Sequence, residues 1–285
     1  MPITFVLVEL VAFLMAGVLL YEAWRAGASK VSTLLVGMLF GLAIEVFFVT
    51  QYSGYEYGHF LVQFLIDGSP IPLWVAAGWG SIIFTSMAAT DRMGFAWWAR
   101  PILDGLLAVS LDFTLDPLAE ALGWWHWTRP GQFFNVPCDN FIGWVLIVSS
   151  FSFFTRLGFH FWPEGVKVWR DVLIPLVAVL PSVGLVAGAQ VLLERIYPHV
   201  GEPLTFVALA SVFLLITLVM TRNVRAETPP AWFLTGVPAV YHGLMLALLV
   251  GTGVGVQLPE ALVGLPLAAI SSLFAFRFPR CSHAE

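Results

Sequence analysis

Apolar stretches about 20 residues long recur along the whole chain, and that length limits its folding more than any other feature. At 1.5 Å per residue, about 20 helical residues cross a hydrocarbon core about 30 Å thick. Inside such a core every backbone N–H and C=O must find a partner within the protein, so a spanning segment is a helix or part of a closed barrel. Barrel strands show as short segments of alternating polarity, and this sequence has none. The charge content agrees: 11% of the 285 residues are charged, against roughly 25% in chains with a water-exposed surface.

The sequence therefore predicts an all-α, polytopic transmembrane helix bundle, a single integral membrane domain over residues 1–285. Charged, Gly/Pro-rich and aromatic breaks place spans near 3–21, 31–50, 71–90, 101–122, 140–157, 171–193, 203–221, 231–251 and 258–276. Pro259, Gly264 and Pro266 interrupt the last, which is compatible with a re-entrant course, so eight or nine crossings are expected. The first segment is apolar from Ile3 to Leu20 and is followed, not preceded, by Arg25. That is the pattern of a retained span and not of a cleaved signal peptide.

The basic residues orient the bundle. Arg25, Lys30, Arg92, Arg100, Arg156, Lys167, Arg170, Arg222, Arg225, Arg277 and Arg280 fall on one side of this topology, and only Arg129 and Arg195 on the other. Eleven against two places the N-terminus outside and the C-terminus in the cytoplasm of a multi-pass protein of the cell membrane. Cys138 and Cys281 then lie on opposite sides, and no disulfide is expected between them. The net charge of -5 and the lack of a basic stretch leave the lipid bilayer as the expected partner, with no nucleic acid.

Two outer connections stand out. Residues 51–70 hold Tyr52, Tyr55, Tyr57, His59 and Asp67, and residues 123–139 hold Trp124, Trp125, His126, Trp127, Phe133 and Phe134. An interfacial belt enriched in Trp and Tyr accounts for single aromatics. It accounts less well for such a density beside acids and histidines.

Carboxylates inside spans are costly and usually mark function. The candidates are Glu9, Glu45, Asp104, Asp112, Asp116 and Glu120. Glu45 lies roughly 21 Å along its span from the basic side and Asp116 roughly 22 Å along its own, while Asp112 shares a helix face with Asp116. These three reach one level beneath the aromatic loops. Asp104 and Glu120 sit near span ends and read as structural or solvated; Glu9 fits an interhelical hydrogen bond equally well. Tyr241 and His242 are mid-span residues that suit either a pocket or packing. No histidine pair has di-iron or zinc spacing, and no nucleophile elbow, phosphate-binding glycine loop or acidic magnesium motif occurs. No metal site or cofactor is expected.

The stretch from Asp112 to Trp144, with Asp116-Pro117, Gly123-Trp124-Trp125-His126-Trp127, Phe133-Phe134-Asn135-Val136-Pro137 and Asn140-Phe141-Ile142-Gly143-Trp144, resembles the membrane carotenoid hydratases, the gamma-carotene and bisanhydrobacterioruberin hydratase type. Glu45, the tyrosine-rich loop and Ile71-Pro72-Leu73 are similar more loosely, so the resemblance spans roughly residues 40–160. It departs at Phe133-Phe134-Asn135, where the family has Tyr-Tyr-Gly or Tyr-Phe-Gly. The resemblance implies addition of water to the terminal double bond of an acyclic carotenoid such as lycopene or gamma-carotene. In that chemistry a buried protonated carboxyl from Asp116, Asp112 or Glu45 protonates the alkene, Trp124, Trp125 and Trp127 face the cation, and His126 or Asn140 orients water. Tyr52, Tyr55, His59, Phe133 and Phe134 complete the expected substrate site. A proton-initiated cyclase would use the same acids, a proton-coupled transporter would also place carboxylates in spans, and a purely structural carotenoid-binding protein would need none of this chemistry.

Overall fold

The computed structural model of the chain describes residues 1–52, 54–131, 133–162, 167–221 and 231–277. Its long helices are α1 (Ile3–Ala26), α2 (Ala28–Phe47), α3 (Leu73–Asp91), α4 (Arg100–Leu122), α5 (Cys138–Phe161), α6 (Lys167–Val200), α7 (Glu202–Thr221), α8 (Phe233–Gly251) and, after the single turn α9 (Val254–Gln257), α10 (Ala261–Arg277). A wider helical turn, Phe48–Tyr52, extends α2. The protein is an all-α helix bundle. Among the described residues six helices are long and apolar enough to cross a membrane: α1, α2 with its extension, α3, α5, α6 and α8. The helix α4 has the length, at 23 residues, but carries Asp104, Asp112, Asp116 and Glu120. Shorter apolar helices cover Glu202–Val212 and Ala261–Phe276.

Local chemistry sets the helix ends. Pro72 and Pro137, in extended conformation, precede α3 and α5, and Pro101 stands in the first turn of α4, where the missing N–H costs nothing. Gly123 ends α4 in the left-handed conformation with φ 71° and returns its N–H to the carbonyls of Ala119 and Glu120, a cap that side chains disfavour. The chain then turns directly into the tryptophan-rich loop.

Two short antiparallel sheets cover one end of the bundle. Strands β2 (Gln63–Ile66) and β3 (Ser69–Pro72) form a hairpin around Asp67 and Gly68, both at positive φ, the geometry of a tight hairpin turn. Strands β1 (Tyr55–Tyr57) and β4 (Trp125–Trp127) pair Tyr55 with Trp127, Glu56 with His126 and Tyr57 with Trp125. Successive strand side chains point to opposite faces. The four aromatics therefore share one face, while Glu56 and His126 lie on the other and are exposed. The two aromatic loops, distant in sequence, thus form one roof. Glu9 of α1 supports it by accepting the N–H groups of Leu61 and Val62 at 3.1 and 2.9 Å.

This aromatic end also holds Arg129 and Arg195, whereas Arg25, Lys30, Arg92, Arg100, Arg156 and Arg170 gather toward the opposite, basic end. Arg222, Arg225, Arg280 and Cys281 lie outside the described residues, and the side chains of Lys167 and Arg277 are likewise not described. Between the two ends α2 and α3 approach closely, because Gly41 leaves room for the Trp79 ring and Gly80 faces Met38 and the Leu34 carbonyl. Small residues serve this role where lipid supplies no hydrophobic drive between helices.

Candidate active site

Beneath the roof lies a cavity of about 550 Å³, within the range of ligand pockets. Helices α2 to α6 and α8 line it together with β1 and β4. Its wall is aromatic, with Trp74, Trp79, Trp125, Trp127 and Trp144; its polar groups include Glu45, Asp116, Asn140, Tyr55, Tyr57 and Tyr241. Thr128, Arg129 and Glu194 also line it and are exposed, so this side forms a polar mouth. Arg129 stands 3.5 Å from Asp139, another lining residue.

Asp112 and Asp116 project from the same face of α4, one turn apart, and both are buried. Asn140, in the first turn of α5, donates its amide Nδ2 to Asp112 Oδ2 at 2.9 Å and to Asp116 Oδ2 at 2.5 Å. The two carboxyl groups therefore converge on one amide nitrogen, the setting in which two neighbouring acids share a proton. Asp116 reaches the cavity, and Asp112 lies behind it, with Oδ1 unpartnered among the described residues.

Glu45 is held on the opposite wall by three donors. Trp79 Nε1 donates to Oε1 at 2.6 Å, and the hydroxyls of Tyr55 and Tyr57 donate to Oε2 at 2.5 and 2.6 Å. Strand alternation in β1 aims both tyrosines inward, and Gly41, one turn before Glu45, admits Trp79. Burial, reinforced by the adjacent Glu45 charge, pushes both phenols well above the usual tyrosine range, so they remain donors. Among the described residues, the groups hydrogen-bonded to these three carboxyls are thus an amide, two phenols and an indole, and none is a cation.

Of the residues expected from sequence, Glu45, Asp116, Asn140, Trp125, Trp127, Tyr52 and Tyr55 line the cavity, with Asp112 directly behind. The others lie elsewhere. Trp124 is fully buried beneath the roof, edge-on to Trp74. His126 is on the outer face of β4, 3.4 Å from Glu120, and His59 is exposed beside Gln63. Phe133 and Phe134 pack on each other, and Phe133 also meets Phe113 and Phe141, away from the lining. Asp104 is buried in an ion pair with Arg156, Glu120 accepts the Trp127 N–H at 3.1 Å, and His242 bonds Thr114 at 2.8 Å.

Several lining residues had gone unmarked in the sequence. Trp74 and Trp79 are among them, distinguished only by an indole N–H in need of a partner, while Trp144 entered only as the last residue of the Asn140–Trp144 motif. Gln190, Glu194 and Tyr197 of α6 are spaced i, i+4, i+7, a polar stripe on one helix face that the sequence does display.

A family profile described as "Carotenoid biosynthesis protein" matches residues 3–210. The chain belongs to this carotenoid biosynthesis family. The matched region contains every lining residue named above except Tyr241, so the cavity is built almost wholly by the part that defines the family. Comparison with curated proteins and with solved structures finds no match. Membership of the family and the long apolar helices together place the chain among membrane proteins of carotenoid biosynthesis.

Proposed function

We propose that the protein adds water to the terminal double bond of an acyclic carotenoid end group, giving a tertiary alcohol. The observation that carries this reading is the Asp112–Asp116 pair, bridged by Asn140 and reaching an aromatic-walled cavity through Asp116, in a chain of the carotenoid biosynthesis family. Acyclic carotenoids such as lycopene and gamma-carotene supply the end group. Their apolar bodies suit a protein surrounded by lipid.

An alkene is a very weak base, so its protonation needs a carboxylic acid withheld from water. The proton shared by Asp112 and Asp116 passes through Asp116 to the terminal alkene. A C–H bond replaces the π bond, and the neighbouring carbon becomes a tertiary cation. Trp79 and Trp144, whose ring centroids are 4.4 Å apart, offer the negative faces that attract a cation by about 0.5–2 kcal/mol. Glu45 adds a carboxyl group that three hydrogen bonds hold in place, which keeps it from swinging onto the cation. Water then forms the C–O bond and returns a proton to the aspartate pair. The net change is H and OH across one double bond, with no change of oxidation level.

The test is turnover of lycopene or gamma-carotene by the purified protein in heavy-oxygen water. A product heavier by one water and carrying the label is expected. A ring-closed product without solvent oxygen would replace hydration by cyclisation, and a requirement for molecular oxygen would exclude both. Proton or solute movement across vesicles with no altered carotenoid would favour a transporter.

A further inference from the structure

The tryptophans lining the cavity differ in what their N–H groups do. An indole nitrogen donates one hydrogen bond and accepts none. Trp79 gives its N–H to Glu45. The N–H groups of Trp74 and Trp127 are buried and have no acceptor among the described residues, although both side chains line the cavity. Trp74 is only 2% exposed. A buried donor left unmatched costs about 1–3 kcal/mol, and phenylalanine would build an aromatic wall without that cost. The two indoles flank Trp125: Trp74 stacks on it at 6.2 Å and 21°, and Trp127 shares the inner face of β4 with it. Trp127 adjoins Thr128 and Arg129 of the mouth.

We infer that these two N–H groups form the oxygen-binding element of the cavity: Trp74 holds the water that is added, and Trp127 holds the next water arriving from the mouth. This rests on the hydration reading above. A water oxygen has two lone pairs. One accepts the Trp74 N–H and the other forms the C–O bond to the cation. One O–H bond then breaks, and its proton goes to the carboxyl group that was left charged when the alkene was protonated. The new alcohol oxygen keeps Trp74 as its donor until the product leaves. A cation without a water so placed instead loses a proton from a neighbouring carbon and returns to an alkene.

Deuterated water separates the two fates. Each cation gains one deuterium and on returning to an alkene loses H in preference to D, so the alcohol and the deuterated but unhydrated carotenoid together follow protonation, compared between variants under one set of conditions, and their ratio reports capture by water. Trp74→Phe should lower that ratio about tenfold, as expected for one lost hydrogen bond near 1.4 kcal/mol, while the sum stays near the wild-type value. Trp127→Phe should lower it less. Replacing Trp74 by 3-benzothienylalanine, which keeps the ring shape but lacks the N–H, should match Trp74→Phe and decides the matter should the smaller ring disturb folding. An unchanged ratio in the benzothienyl variant would overturn the proposal, as would a parallel loss of both products, which would mark a protonation defect. If the wild-type protein forms no alcohol at all, the hydration reading itself falls, and this proposal with it.

Discussion

At the basic end of the bundle Asp104 of α4 meets Arg156 of α5 at 3.1 Å, whereas eight residues farther along α4, about 12 Å, Asp112 meets an uncharged amide, Asn140 of the same α5. The lower cluster is saturated with opposite charge. Arg156 also bonds Asp91, which in turn receives Lys30 at 2.8 Å and Arg100 at 3.3 Å, while Ser152 and Thr90 donate to Asp104. The upper cluster has hydrogen bonds and, among the described residues, no bonded cation. Paired charges within a membrane protein need nothing further and act as a latch between helices. Two acids bridged by an amide still need a proton, and a group that holds a proton can give it away. The same helix pair thus supplies both a fastening and a proposed reagent, and the difference lies in the α5 partner.

That contrast can be broken first at Asp116. Asp116→Asn keeps the size and hydrogen bonding of the side chain, so thermal unfolding in detergent should move by no more than about 1 kcal/mol, while alcohol formation falls about 10²- to 10⁴-fold, the usual worth of a positioned acid. Wild-type turnover in this variant would end the assignment. At the other cluster the expectation inverts. Arg156→Met strands Asp104 without its cation and should cost about 3–5 kcal/mol of stability, read as a lower unfolding temperature, and adding Asp104→Asn should restore part of it. If the single variant unfolds like wild type, the latch is not one. The smallest effect belongs to Trp79→Phe, which removes one of the three donors to Glu45 and should cost about 1.5–3 kcal/mol of stability, read as a modestly lower unfolding temperature together with slower turnover. An unfolding shift larger than that of Arg156→Met would make Trp79 a packing residue instead.

Much of this was legible in the sequence, because both the helices and the acids obey strong rules. Apolar length identifies membrane-compatible helices, and a helical rise of 1.5 Å per residue placed Glu45 and Asp116 on one level, where both line the cavity. Asn140 entered through a motif. The roof was harder to read. Three-residue strands leave almost no periodic signal, and only the pairing of β1 with β4 decides that Trp125 and Trp127 face inward while His126 faces out. The density of aromatics therefore pointed to the loops that roof the cavity but could not sort their members. Trp79 escaped because its significance depends on Gly41 across the α2–α3 contact, a relation between two helices that neither helix shows alone. Asp104 was separable from Asp112 by position, yet its fully buried pairing with Arg156 required the antiparallel register of α4 and α5.

That register has a consequence for heredity. The latch and the acids hang on one uninterrupted helix, so a residue inserted between Asp104 and Asp112 would turn everything beyond it by about 100° and carry both carboxyls away from Asn140 while Arg156 kept its grip. Loops can lengthen without such a penalty. The eight-residue interval on α4 is therefore a ruler, and descendants of this chain that keep its chemistry must inherit its length unchanged.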